Sequence, residues 1–157
     1  MSEAKPATLR AVDVEPRTTT IYPAPFAAEL KGREKRALGD AFGLDRFGVN
    51  LTTMAPGTWS SQRHWHEQED EFVYVLSGEL TLIDDAGEHL LTPGMCAGFK
   101  AGVANGHHLV NKSSAPASYL EIGTRSGNEV CHYSEADMNA AKAGGKWALT
   151  RKDGTPF

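Results

Sequence analysis

From Phe47 onward the chain is cut into short runs of apolar and β-favouring residues by turn signals at close intervals, a pattern that argues for an all-β fold and against a helical bundle. The runs are Phe47 to Met54, Trp59 to His66, Glu71 to Leu76, Glu79 to Asp84, Glu88 to Leu91, Met95 to Lys100, His107 to Asn111, Ser118 to Thr124 and Glu129 to Tyr133. They predict about nine strands of a sandwich or barrel. Between them stand Pro56-Gly57, Ser77-Gly78, Asp84-Asp85-Ala86-Gly87 and Thr92-Pro93-Gly94, residues that tolerate turn dihedrals. Ser77-Gly78 reads as a tight hairpin and Asp84 to Gly87 as a longer one. The 16 glycines and the low aromatic fraction suit short strands and tight turns.

Only the ends differ. Ser134 followed by Glu135-Ala136-Asp137 has the form of an N-cap with acidic residues in the first turn, which predicts a short helix over Glu135 to Lys142, stopped by Gly144-Gly145. The tail Lys146 to Phe157 is expected to pack back as an extended segment through Trp147. Near the start, Phe26 to Leu38 holds at most a helical turn, interrupted by Gly32. The expected organisation is an N-terminal extension over residues 1–46 packing on a barrel over 47–133, with a C-terminal helix and tail over 134–157.

At 157 residues the chain can bury a full core without disulfide or metal staples. Its formal charge of -4 and the lack of a basic block argue against nucleic-acid binding, since Arg33, Lys35 and Arg36 form the only dense basic patch and it is small. Cys96 and Cys131 have no CxxC spacing, so they read as two buried thiols in a reducing compartment. The polar segment Met1 to Arg17 does not resemble a signal peptide, and no apolar run is long enough to span a bilayer. The expectation is a soluble, cytoplasmic protein with no nucleic-acid or membrane partner.

The densest chemistry lies in Arg63-His64-Trp65-His66-Glu67-Gln68-Glu69-Asp70-Glu71. On an extended backbone His64 and His66 share a face, with Trp65 opposite, so two imidazoles can meet one ion. Glu71 shares a face with Val73 and Val75, and a turn through the acidic stretch brings its carboxylate back as a third ligand. Glu69 is its rival, because a shift of two residues keeps the face. His107 and His108 offer a fourth ligand. Most histidines bind nothing, and an acidic run is usually a solvated turn, so it is the combination of these features that points to metal. Among the flanking residues, Arg63 and Lys100 read as solvated, and Tyr74, Trp59 and Trp65 as packing aromatics.

These residues closely resemble the first motif of the cupin superfamily, with Gly57, His64, His66, Glu71 and Gly78 at its positions and one extra residue before His64. The second motif is matched more loosely by Gly94, Lys100-Ala101-Gly102, His107 and Asn111, where Lys100 replaces the usual proline and two additional residues precede the histidine. The spacing to Asn111 favours His107 over His108 as the family's fourth ligand, with Asn111 behind it. The flanks Gly39-Asp40, Gly43-Leu44 and Lys152-Asp153-Gly154-Thr155-Pro156 are similar to those of small bacterial cupins described as sugar phosphate isomerase-like. The resemblance implies a jelly-roll barrel (a double-stranded β-helix), one divalent ion inside it and homodimerisation.

Mixed nitrogen and oxygen donors suit Fe, Mn, Ni, Zn or Co. The expected function is a metalloenzyme acting on a small oxygenated metabolite, by dioxygenase or by isomerase or lyase chemistry. The alternative is a non-catalytic small-molecule-binding or sensing cupin with a structural metal.

Overall fold

The computed structural model describes residues 5–157, and Met1 to Ala4, the start of the polar opening segment, lie outside the described residues. Strand β1 (Arg33–Ala37) runs antiparallel to β2 (Phe47–Met54), with the helical turn α1 (Leu38–Phe42) between them. Then follow β3 (His64–His66), β4 (Glu71–Ser77), β5 (Leu80–Asp84), β6 (Gly87–Leu91), β7 (Cys96–Phe99), β8 (His108–Val110), β9 (Ala117–Thr124), β10 (Glu129–Tyr133), β11 (Asn139–Ala143) and β12 (Lys146–Thr150). They form a five-stranded sheet in the order β1-β2-β9-β4-β7, a four-stranded sheet β12-β11-β10-β3 and a three-stranded sheet β6-β5-β8.

Alternation along the strands builds the core. Val73 and Val75 of β4 point inward with Glu71, while Phe72, Tyr74 and Leu76 face out. Met54, Val73, Val75, Ala117 and Tyr119 of the large sheet meet Leu80, Leu82, Leu91 and Leu109 of the three-stranded one. A second cluster gathers Cys131, Tyr133, Ala136, Met138 and Ala140, with Tyr22 and Phe26 packed against it.

Several expectations need correction. The ladders stay as three sheets and do not close into one hydrogen-bonded barrel; the smaller sheets are linked by the single bridge His64 to His107, with Trp59 bridging separately to Val110. The chain bends through Ser60 to Arg63, so the strand expected over Trp59 to His66 shrinks to β3. Ser77-Gly78 is not a hairpin, because β4 and β5 belong to different sheets and Gly78 turns the corner between them. Asp84 to Gly87 does close a hairpin, with Asp84 opposite Gly87.

The expected C-terminal helix is absent. Gly144 and Gly145 have φ of 56° and 79°, the pair of positive values that a two-residue hairpin turn requires, and β11 and β12 pair across them. Pairing of β11 with β10 and burial of Met138 and Ala140 outweigh the helix preference of an alanine-rich segment. At the other end, the helical turn within Phe26 to Leu38 is Ala28–Leu30, and Arg33–Ala37 is an edge strand that also bridges to Arg17. Among the described residues no helix is long and apolar enough to cross a membrane. Cys96 and Cys131 are both free, but Cys96 is exposed, because it sits on the outward face of β7.

Candidate metal centre

Backbone pairing sets the site. His64 N donates to His107 O at 3.2 Å and His107 N to His64 O at 2.9 Å, so these residues face each other across one bridge with side chains on the same side. Glu71 enters from β4. Its Oε2 lies 2.8 Å from His107 Nε2 and 3.9 Å from His64 Nε2, and its Oε1 lies 3.6 Å from His66 Nε2. His64, Glu71 and His107 present donor atoms within 4.8 Å of one another; His66 stands beside His64, ring centroids 4.9 Å apart.

The outer nitrogens are tied down. His64 Nδ1 lies 2.8 Å from Gln62 O and His107 Nδ1 lies 3.0 Å from Asn105 O, so in each neutral ring Nδ1 carries the proton and Nε2 the lone pair. Those lone pairs face the Glu71 carboxylate, where a cation satisfies nitrogen and oxygen together. Two ligands about 2.1 Å from one ion at right angles stand about 3 Å apart, and the observed separations bracket that value. The donors therefore fit a divalent ion.

Electrostatics agree. Burial, aided by the neighbouring His66 and His107, pushes the His64 pKa down to about 4 against the pull of Glu71, which keeps the ring neutral as a ligand must be. Burial raises the Glu71 pKa, but the imidazoles of His107, His64 and His66 around it, His107 nearest, outweigh burial and hold the carboxyl down at about 2. Burial pushes the Cys131 thiol up to about 12, so although it lies beside His64 and His66 it stays protonated.

His108 and Glu69 lie outside the trio of His64, Glu71 and His107, although Glu69 forms a second close group with His66 and Glu129. His108 packs edge-on against Trp59, centroids 4.7 Å apart, with Nδ1 3.0 Å from Ser61 O. Glu69 pairs with Lys142 and accepts from Ser126 N at 2.8 Å, next to His66 and the buried Glu129. Asn111 is fully buried but braces loops: its Nδ2 donates to Met54 O and Ala115 O, both at 2.9 Å. Arg63 is not solvated as expected. Its side chain is only 16% exposed, and Nε donates at 2.8 Å to Gly106 O, the carbonyl just before His107.

Other residues were not singled out from the sequence. Phe99 stacks on His107, centroids 3.5 Å apart and 2° from parallel, which fixes the imidazole plane. Tyr133 lies 5.7 Å from the His64 ring and Tyr22 5.6 Å from Tyr133. Strand parity is the signal for Glu129, Cys131 and Tyr133, because alternate residues of the expected strand share one face, which the structure turns inward. A cavity of about 580 Å³ opens onto the histidines and Glu71, within the range that small ligands occupy. A smaller one of about 230 Å³, lined by Trp65 and Lys100, reaches the same cluster through His66, Glu71 and His107.

A family model described as a cupin domain matches residues 50–123. A solved sugar phosphate isomerase from a cupin superfamily, from Silicibacter pomeroyi DSS-3, is 47% identical over 96% of each chain, with a TM-score of 0.91. A candidate sugar phosphate isomerase from Acidithiobacillus ferrooxidans is 32% identical over 80% of each chain, TM-score 0.73. A predicted oxalate decarboxylase from Thermotoga maritima, 19% identical over 76% of this chain and 99% of its own, TM-score 0.61, is alike in fold alone. A sequence comparison with curated proteins finds no match. With that identity spread over nearly the whole of both chains, and with the first-motif histidines and glutamate brought together in one site, the chain belongs to the cupin superfamily.

Proposed function

We propose that this cupin holds one divalent ion, of Fe, Mn, Ni, Zn or Co, on His64, His66, Glu71 and His107, and is a metalloenzyme acting on a small oxygenated metabolite. The observation that carries the reading is the tethering of His64 and His107 through Nδ1, which turns two Nε2 lone pairs onto one carboxylate. A bound ion supplies Lewis acidity to a substrate carbonyl or hydroxyl oxygen. Isomerase or lyase chemistry ranks ahead of dioxygenase chemistry, because the 47% identical protein is a sugar phosphate isomerase by its description.

The chain's own part is positional. Tyr22 and Tyr133 have pKa values raised by burial, so both hydroxyls stay protonated as hydrogen-bond donors on the cavity wall. Phe99 and Val73 add apolar surface to the cavity wall beside the ligands. The test is elemental analysis of protein purified without chelator or metal-affinity tag. The wild type is expected to carry close to one equivalent of divalent metal and His64→Ala to lose it; two folded, metal-free proteins would overturn the reading.

The cellular setting we propose is cytoplasmic, in keeping with two free thiols. The partner we propose is a second copy, docked through the outer face of the five-stranded sheet. Phe72, Tyr74 and Leu76 are 39%, 39% and 44% exposed there, flanked by Leu120 and Ile122 of β9, and an apolar patch of this kind is what an isologous contact buries. Light scattering is expected to give a dimer that Tyr74→Glu converts to a monomer. A monomeric wild type would refute it.

A further inference from the structure

Strand β1 carries the basic patch that the sequence shows as Arg33, Lys35 and Arg36, and its alternation turns Arg33 and Lys35 to one side, where both line the larger cavity. Four cations line that cavity. Arg17 and Arg125 both pair with Asp40, and Lys35 pairs with Glu121 at 2.9 Å. Arg33 alone has no carboxylate partner among the described residues. One of its terminal nitrogens donates to the Ser60 carbonyl, while its Nε is buried without an acceptor. A guanidinium stays charged at any working pH, and holding it half-buried without a counter-charge is costly unless something else supplies one.

The same cavity joins this cation to the metal centre. Tyr119, buried on its wall, lies in the same lining as Arg33, Glu121, Glu71, His64 and His107, so one continuous cavity runs past both the cation and the cluster. Ser60, Ser61 and Tyr22 add neutral hydroxyls along the wall near Arg33.

Building on the metal-centre reading above, we propose that Arg33 is the anion anchor of the cavity, and that the ligand is a small metabolite with a terminal oxyanion, phosphate or carboxylate, at the end opposite the oxygens that meet the His64, His66, Glu71 and His107 cluster. The planar guanidinium fork matches either oxyanion in a bidentate contact. Arg33 is in this sense a specificity residue rather than a ligand of the ion.

The experiment is a 1H–15N NMR titration of the full chain, stripped of metal by chelator, with inorganic phosphate and separately with acetate. Wild type is expected to bind one of them saturably, with shifts around β1 and Ser60; whichever binds identifies the oxyanion. Arg33→Gln is expected to weaken that binding at least 10-fold, and Arg33→Lys, which keeps the charge but loses the fork, several-fold. Should Arg33→Gln not fold, Arg33→Lys decides. Undiminished binding by the folded variant, or no binding of either anion by the wild type, overturns the anchor. Metal content is measured on the same preparations before stripping. Anion binding that depends on Arg33 in a protein without metal would sink the metal-centre reading and leave the anchor, whereas a full metal complement with Arg33-independent binding would do the reverse.

Discussion

Chelating the ion from the metal-loaded protein is expected to lower its melting temperature by about 5–15 °C, and His107→Ala is expected to erase that response. A ligand that binds only the native state stabilises it by about 2.7–4.1 kcal/mol at 100 to 1,000 times its Kd. For a domain of this size each kcal/mol moves the midpoint by about 2–4 °C. His107 is the decisive position because its Nε2 makes the shortest contact to Glu71, and Phe99 and the Asn105 carbonyl fix its ring. Truncating it also leaves a gap beside Phe99, which lowers stability by itself. The informative quantity is therefore the difference between loaded and stripped protein within each variant. His108→Ala, which loses its contacts to Trp59 and the Ser61 carbonyl, is expected to keep the full response. The opposite pattern, retained in His107→Ala and lost in His108→Ala, would move the fourth ligand to His108.

Which parts of this arrangement can be read from sequence follows from the range of the interactions involved. The face shared by His64, His66 and the inward residues of β4 is a local consequence of strand alternation, so it needs no knowledge of the fold. The choice between His107 and His108 is not local: it depends on where an isolated bridge to β3 sets the parity of a short strand. The meaning of Arg33 and Lys35 is less accessible still. Three basic residues in five look like a solvated patch, and Arg33 and Lys35 line a cavity only because residues 33–37 join β2 as an edge strand.

At the C-terminus two local signals conflict. Gly144-Gly145 serves equally as a helix stop and as a hairpin turn, and an N-cap-like Ser134 with alanines after it favours the helix. Pairing with β10, together with the burial of Met138, decides for the strand. Arg63 illustrates the same limit. Its partners, the Gly106 carbonyl, Asp85 and Glu135, come from segments far along the chain, and they convert a side chain that reads as solvated into a brace behind His107.

Gly78→Ala is expected to cost about 3 kcal/mol or more and to lower the melting temperature by about 6–12 °C, with metal stoichiometry unchanged in the folded fraction. Two costs combine there. Gly78 has φ of 71°, a conformation that charges an L side chain about 1–2 kcal/mol. An added Cβ would also lie 2.6 Å from the Pro116 carbonyl oxygen and 2.7 Å from Ala117 Cα, backbone atoms at the start of β9 that cannot rotate away. Relief requires moving the corner where the chain passes from the large sheet into the three-stranded one, beneath which Leu80 and Ala117 are buried in the core. Gly57→Ala separates the two costs. Gly57 has φ of 80° but nothing within 4 Å of the added carbon, so only the backbone term of about 1–2 kcal/mol is expected. Urea midpoints for the two variants measure the difference. Equal losses would mean that the β9 backbone yields freely and that Gly78 is required for its dihedral alone, while a larger loss at Gly78 makes the close approach of two backbones the reason a glycine must stand at that corner.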